Sequence, residues 1–256
     1  VMNDFLNSLL WVAFPYIALA TMVVGIIWRY RYDKFRWTTR SSQIYETKML
    51  RVGGPMFHLG ILMALGGHLM GLVIPKAWTD AVGIDQHMYH MIAVGGGVTA
   101  GLLVTVGFLI LLFRRMTNPR VRQATSTSDK FLYLVLTLTI IFGMWNTIST
   151  ALSDQFNYRE SVSPYFRSVF MLNPDGSLMA NVPFQFKAHV FLAFLLLMIW
   201  PFTRLVHALT IPLGYLTRPY IVFRTLGDSR VKPGVKAPQG TWDKASTKRV
   251  KKVGVQ

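Results

Sequence analysis

Four histidines of this sequence lie inside strongly apolar stretches. His58 and His68 belong to VGGPMFHLGILMALGGHLMGLVI, and His189 and His207 belong to FKAHVFLAFLLLMIWPFTRLVHALTIPLGYL. An imidazole in hydrocarbon is costly unless it binds something, and a neutral imidazole nitrogen is a ligand for iron or copper. These four side chains are therefore candidate metal ligands inside a membrane.

The spacing of the histidines predicts two sites at two membrane depths. His189 and His207 are 18 residues apart, which places them on one face of an ideal helix, about 27 Å apart. His58 and His68 are ten residues apart, a rise of about 15 Å with roughly 80° of rotation. If the two helices are antiparallel, His58 faces His207 and His68 faces His189. Pro201 is a residue that can kink the helix with the longer spacing.

Membrane-spanning helices must position these histidines. Hydrophobic residues make up 52% of the 256 residues, and the mean hydropathy is +0.37. Five apolar runs, at about 5–28, 52–75, 88–113, 131–152 and 187–216, are long enough to cross a bilayer. The sequence therefore predicts an all-α integral membrane protein, a bundle of five transmembrane helices over residues 1–225. Residues 226–256 are predicted to form a basic, disordered cytoplasmic tail.

The net charge of +16 is distributed as a topology signal. Of the 27 Lys and Arg residues, 22 fall in 29–51, 114–130 and the segment from 217 onward. By the positive-inside rule these segments are cytoplasmic, so the N-terminus is outside and the C-terminus inside the cytoplasmic (inner) membrane. The expected contacts of the basic residues are anionic lipid headgroups and a cytoplasmic protein, and nucleic acid is not expected.

Cysteine is absent, which excludes disulfides and iron–sulfur clusters held by this chain. Haem c is also disfavoured, because its attachment requires a Cys-x-x-Cys-His run. An electron carrier in this chain would be a cofactor held by other residues. The first apolar run has no positive charge before it, so we interpret it as a true span and not as a cleaved signal.

Two bis-histidine sites at two depths are typical of a di-haem b cytochrome. Iron held by two imidazoles has no open position, so such a haem transfers electrons and does not bind oxygen. One alternative is that the four histidines are structural and hydrogen-bond across helices. A copper or zinc site is a weaker alternative, because ligands at two depths cannot close one tetrahedron.

Two further histidines lie where the third span begins. His87 is at the outer interface, and we predict that it accepts a proton from a quinol as the electrons leave. His90 is one turn further on, and we interpret it as a solvated interfacial residue. In the outer loop 153–186, the apolar run 169–172 could lie along the membrane surface or pack within the loop.

Three arginines near the cytoplasmic side are candidate partners of haem propionates. Arg204 lies one turn before His207, and we predict that it pairs with a propionate; a lone cation there would instead extend to the interface. Arg114 and Arg115 end the third span, and we favour interfacial anchors over propionate partners for both.

Several segments resemble one known family. RYRYDKFRWTTRSSQ, FHLGILMALGGHLMG, NPRVRQATSTSD and WPFTRLVHALTIPLGYLTRPY resemble the gamma subunit of the bacterial membrane-bound respiratory nitrate reductase, its di-haem cytochrome b. The resemblance extends over residues from about 3 to 225 and keeps the order and spacing of the histidine segments.

The resemblance implies a five-span subunit that oxidises menaquinol or ubiquinol near the outer face. It also implies two haems b between the second and fifth helices: His58 and His207 bind the inner iron, and His68 and His189 bind the outer iron. Electrons then pass to an iron–sulfur subunit and a molybdenum catalytic subunit in the cytoplasm. Members of the family carry a quinol-binding lysine at the start of the third span, where this chain has His87.

Two other functions remain compatible with the residues. The chain could be the di-haem b anchor of another quinone-linked reductase or dehydrogenase. It could also be a haem-free transport or scaffold protein that uses the histidines for a substrate or for helix packing.

Overall fold

The structure is a computed structural model that describes residues 2–33, 42–153 and 156–209. Predictions for the tail 226–256, and for the fifth span beyond residue 209, lie outside the described residues.

The described chain contains five helices that are long and apolar enough to cross a membrane, so the predicted number of spans is confirmed. Inside a bilayer a helix satisfies all its backbone groups internally, and this explains why long apolar runs take that form. We number these spans one to five: Asp4–Tyr32, Lys48–Val73, Gln86–Thr117, Thr127–Leu152 and Phe184–Phe202.

Two spans contain short π-helical segments. The first span joins Met2–Ser8 to Phe14–Tyr32 through the π-helix Leu9–Ala13. The second span continues from the α-helix Lys48–His68 into the π-helix Leu69–Val73. His68 is therefore the last α-helical residue before a change in helical geometry.

The spans alternate in direction, so the connections gather at two ends of the bundle. We call the end with segments 42–47 and 118–126 the basic end, because most Lys and Arg residues of the described chain lie toward it. The end with segments 74–85 and 156–183 is the loop end. Short helices lie at both: Pro119–Gln123 at the basic end, and Lys76–Ala81 and Val162–Phe170 at the loop end.

Side-chain caps fix where the third and fourth spans begin. The Asp85 carboxylate accepts a hydrogen bond from the Met88 amide (2.7 Å), which satisfies one free N–H at the start of the third span. Ser126 and Asp129 form a capping box at the start of the fourth span. Asp129 also binds Arg204, which follows the fifth span.

The fifth span, predicted over 187–216 with Pro201 as a residue able to kink it, is interrupted close to that proline within the described residues. Its α-helix ends at Ile199, followed by 3₁₀ turns at Trp200–Phe202 and Arg204–Leu209. Pro201 has no N–H to continue the α-helix, and Thr203 between the two turns is extended (φ −121°, ψ 179°). The expectation that His189 and His207 lie on one face of one helix is therefore wrong.

Glycines bring the second and third spans into close contact. A methyl at Gly60 would lie 2.6 Å from the Val104 nitrogen, and a methyl at Gly107 would lie 2.5 Å from the Phe57 nitrogen. Small residues allow this approach of backbones in lipid. The third span also packs on the fourth, while the fourth and the first both pack on the fifth.

The helix Val162–Phe170 lies across the loop end. Tyr165 and Val169 are fully buried, and the Tyr165 hydroxyl donates to the Trp11 carbonyl (2.9 Å). Ser163 donates to the Gly71 carbonyl (2.7 Å), so this helix also satisfies a carbonyl at the end of the second span. In the apolar run 169–172, only Val169 packs inward, whereas Phe170, Met171 and Leu172 are exposed.

Candidate functional site: two facing imidazole pairs

The structure brings His58 and His207 together near the basic end. Their ring centroids are 5.9 Å apart, with an angle of 76° between the ring planes. His58 comes from the second span, and His207 comes from the 3₁₀ turn that follows the fifth. The break after Ile199 therefore determines where His207 lies.

His68 and His189 form the second pair, which lies closer to the loop end than the first pair does. Their ring centroids are also 5.9 Å apart, and the planes differ by only 20°. His189 lies five residues into the α-helix Phe184–Ile199, and His68 ends the α-helical part of the second span. The two pairs thus stand at two depths between the same two chain segments.

Each of the four rings is oriented by a backbone carbonyl at its Nδ1 atom. The distances are 2.8 Å for His58 to Gly54, 2.6 Å for His68 to Ala64, and 2.6 Å for His207 to Arg204. His189 reaches the Thr139 carbonyl of the fourth span at 3.0 Å. A carbonyl only accepts, so Nδ1 carries the proton in each ring, and Nε2 is then the nitrogen whose lone pair suits a metal.

Gly143 makes room for the His189 ring. A methyl at position 143 would lie 2.9 Å from the ring's Cε1 atom and 3.3 Å from Nδ1. The ring thus lies between the Thr139 carbonyl and the backbone of Gly143, and these two residues are one turn apart on the fourth span. The two contacts together fix the position and the tautomer of His189.

Arg204 binds a carboxylate of the protein. Its Nε and Nη2 donate to the two oxygens of Asp129, at 2.7 and 2.8 Å. Asp129 is buried (5% exposed) and also accepts from the Ser126 amide. Because the Arg204 carbonyl receives His207, this bidentate ion pair links the start of the fourth span to the His207 turn. The propionate role of Arg204 stays a prediction.

Arg114 and Arg115 are buried and bind groups of the protein itself, and their role as interfacial anchors stays a prediction. Arg114 is 2% exposed and donates to the Glu46 carboxylate (2.6 Å), the Ser42 hydroxyl (3.0 Å) and both backbone carbonyls of these residues. Burial raises the pKa of Glu46, but hydrogen bonds from the Met49 amide and Arg114 lower it more, so its net pKa lies below the usual value. Arg115 donates to Thr125 and lies over the Tyr133 ring.

At the loop end a polar cluster surrounds Arg159, which is 4% exposed. Its guanidinium lies 3.7 Å from the centroid of the Tyr89 ring, and its Nη2 donates to Thr79 (2.9 Å). The hydroxyls of Tyr89 and Tyr158 are 3.1 Å apart. Burial and this hydrogen bond raise the pKa of Tyr158 well above its usual range, so it remains a neutral phenol.

The two loop-end histidines have different surroundings. His87 is exposed on the first turn of the third span and stands outside the cavity beside Arg159. His90 is half-buried and lines that cavity together with Gln86, Tyr89 and Asn157. The proton-accepting role of His87 remains a prediction.

Sequence reasoning did not single out Asp129 or Arg159. Asp129 looks like an ordinary helix cap in the sequence, although the S-x-x-D pattern at 126–129 signals the capping box itself. Its pairing with Arg204 joins residues 75 positions apart, and no local pattern predicts that. Arg159 is a single cation in a loop, where exposure is the default expectation.

The fold and these contacts define a multi-pass helical membrane protein that holds two facing imidazole pairs at two depths. The family model for the nitrate reductase gamma subunit matches residues 7–226. The chain belongs to this family, so the resemblance noted in the sequence is confirmed.

Curated relatives agree with this assignment. The chain is 42% identical to the nitrate reductase gamma chain of Bacillus subtilis over 218 residues, which cover 85% of this chain and 98% of that one. It is 30% identical to the respiratory nitrate reductase 1 gamma chain of Escherichia coli, with 86% and 98% covered. It is 48% identical to the nitrate reductase-like protein NarX of Mycobacterium tuberculosis over 87% of this chain, but spans only 34% of NarX.

Proposed function

We propose that this chain is the membrane cytochrome b subunit of a respiratory nitrate reductase, a quinol-oxidising part of an oxidoreductase complex in the cytoplasmic membrane. The observation that carries the proposal is the two facing pairs of imidazole rings, in which the Nδ1 atom of every ring is bound to a backbone carbonyl. Family membership supports the nitrate reductase assignment.

The ring geometry fits a metal bound between two imidazoles. Two imidazoles that would each bind one metal ion at about 2 Å can have ring centroids about 6 Å apart. Both observed separations are 5.9 Å. A hydrogen bond from the second ring nitrogen to a carbonyl is the usual support of a ligating histidine, and all four rings have one.

His58 and His207 would hold the inner haem b, and His68 and His189 the outer one. Each haem b, when bound, supplies one-electron transfer at its depth. The protein's part is to fix the four ring orientations through the carbonyls of residues 54, 64, 139 and 204. Arg204 is proposed as a propionate partner in addition to its ion pair with Asp129.

Quinol, as menaquinol or ubiquinol, would be oxidised at the loop end, which we place outside by the distribution of cations. Oxidation of one quinol to quinone releases two protons and two electrons. The protons leave at the outer face, where His87 is proposed as an acceptor, and the electrons leave at the basic end. Each charge separated across the membrane stores about 2.3 kcal/mol per 100 mV.

The electron acceptors would be a cytoplasmic iron–sulfur subunit and a molybdenum subunit that reduces nitrate. Two features support a partner at the basic end. Arg114 holds segment 42–47 to the third span through four hydrogen bonds, and the basic segments concentrate there. The name of the gamma-chain relatives also implies other subunits of a nitrate reductase.

Haem content of single-histidine variants tests the proposal. In detergent-solubilised membranes, the reduced-minus-oxidised spectrum of the wild type should show b-type bands and two haems per chain. Each of His58→Ala, His68→Ala, His189→Ala and His207→Ala should lose one haem, because each haem would need both imidazoles of its pair.

His87→Ala is the matched control for haem content. It removes an exposed imidazole, so both haems should remain while quinol-driven haem reduction slows. A wild-type chain without b-type bands, or histidine variants with unchanged haem content, would contradict the proposal and favour a haem-free scaffold.

A further inference from the structure

We infer that the cavity beside Arg159 binds one hydroxyl group of the quinol, with the Arg159 guanidinium and the Gln86 amide oxygen as its partners. This inference rests on the proposed function and assigns residues to its quinol site. It depends on the charge of Arg159, the size of the cavity, its polar groups and its position relative to His68.

Arg159 is a buried cation with no compensating carboxylate among the described residues. Among the residues that the structure describes, no carboxylate lies within ion-pair distance of it, and Glu160 next to it pairs with Lys76 (3.7 Å). Its Nε and Nη1 atoms are buried and have no hydrogen-bond partner in the described chain. Burying such donors unpaired is costly, so the site favours a ligand oxygen that accepts from them.

The cavity matches one oxygen-sized group. It has a volume of about 20 Å³ and is lined by Gln86, Tyr89, His90, Arg159 and neighbouring residues. A cavity of about 10–15 Å³ by this measure suffices for one water-sized group. A hydroxyl therefore fits inside, while the ring and the apolar tail of a quinol would remain at the mouth against the membrane.

The polar groups complement a hydroxyl in both of its roles. A hydroxyl oxygen accepts hydrogen bonds and its proton donates one. Arg159 supplies N–H donors, and the buried Oε1 of Gln86, also without a partner in the described chain, supplies an acceptor. A cation next to the oxygen favours loss of the hydroxyl proton, which quinol oxidation requires.

The lining of the cavity contacts the segment that follows His68. A methyl at Gly71 would lie 3.2 Å from the Tyr89 hydroxyl and 3.1 Å from the Tyr158 hydroxyl. Gly71 follows His68 by three residues and lies in the π-helix Leu69–Val73 that continues the second span. Tyr89, stacked on Arg159, therefore connects the cavity to the segment that carries His68.

The test measures haem reduction by a short-chain menaquinol in the solubilised complex, as a function of quinol concentration. Arg159→Lys and Arg159→Gln should raise the apparent KM for quinol about 10- to 100-fold, the effect of losing a hydrogen bond from a charged donor. Chemical reduction by dithionite should still give the wild-type haem spectrum. Gln86→Leu should raise the KM in the same direction without touching the cation.

Arg167→Lys is the matched control. Arg167 donates to the Leu72 carbonyl (3.0 Å) at the same end of the bundle but does not line the cavity. The KM of the Arg167→Lys variant for quinol should therefore stay within twofold of the wild-type value. If the Arg159 variants do not accumulate, Gln86→Leu decides the question.

An unchanged KM in folded, haem-containing variants would overturn the inference and assign the cavity to a bound water. That result would leave the proposed function intact. The proposed function fails separately if the wild-type chain shows no b-type haem.

Discussion

The His189 ring lies against the backbone of Gly143, which has no side chain. A methyl there would stand 2.9 Å from the ring's Cε1 atom, closer than two carbons approach without a shift. The ring cannot simply move away, because its Nδ1 is bound to the Thr139 carbonyl of the same helix. A single added carbon should therefore misplace one ring of the outer pair.

We predict that Gly143→Ala lowers haem content from two toward one per chain, with loss of the outer haem. The effect would not come from a weaker helix, because Ala in a helix interior is more stable than Gly by about 0.5–1 kcal/mol. The measurement is the haem-to-protein ratio and the reduced-minus-oxidised spectrum. Gly95→Ala is the control, since a methyl there meets no atom within 4 Å. Equal haem loss in both variants would contradict the explanation.

The order of the histidines and the directions of the two helices were sufficient to predict which rings meet, whereas their spacing on ideal helices was not. Rings 58 and 207, and rings 68 and 189, do face each other. The partners of Nδ1 at His189 and of Arg204 could not be predicted, since they depend on how the fourth span packs on the fifth. The burial of Arg159 could not be predicted from the sequence either, because it depends on a loop that folds over Tyr89.

At the scale of the helix, the end of the fifth span at Ile199 explains a mismatch in the sequence. Ideal helices separate His58 from His68 by about 15 Å and His189 from His207 by about 27 Å. The extended residue Thr203 and the 3₁₀ turn Arg204–Leu209 change the path before His207. Both ring pairs can then close at the same centroid separation.

Two side chains donate to backbone carbonyls at this break. Arg29 of the first span donates to the Pro201 carbonyl at 2.5 Å, and the Thr203 hydroxyl donates to the Trp200 carbonyl at 3.3 Å. The first span approaches closely there, since a methyl at Gly25 would lie 2.9 Å from the Pro201 side chain. The first span thus also supports the turn that carries His207.

We predict that Asp129→Asn destabilises the His207 turn and preferentially affects the inner haem. The Asn side chain keeps a capping oxygen but loses the charge that holds Arg204, a contribution of about 1.5–3 kcal/mol. A redox titration of haem absorbance should show a shifted or diminished inner component, together with a lower thermal midpoint. His207 should respond because its Nδ1 partner is the Arg204 carbonyl.

Asp85→Asn is the matched control for this change. Asp85 caps the third span in the same manner, at the opposite end of the bundle from Arg204. Its substitution should leave the inner haem unchanged. An inner component that is the same in Asp129→Asn and wild type would show that the ion pair does not position His207.

For the whole molecule, the sequence predicted the five spans because hydropathy reports burial in lipid directly. Their bounds moved by only a few residues in four cases; the second span, for instance, runs over Lys48–Val73 instead of 52–75. The fifth differed most, since apolar character alone does not distinguish an α-helix from the 3₁₀ turns that follow it.

The orientation of the bundle can be tested directly because the chain has no cysteine. A single cysteine introduced by Ala81→Cys would report the loop end, and one introduced by Gln123→Cys would report the basic end; both positions are exposed. If cations retain the basic end in the cytoplasm, a membrane-impermeant maleimide should label the first variant in intact cells or spheroplasts. It should label the second only after permeabilisation.

The reverse pattern would place the Arg159 cavity on the cytoplasmic side, so quinol protons could no longer be released outside. Because both variants retain all four histidines, an unchanged haem spectrum would serve as the control that each labelled protein is folded.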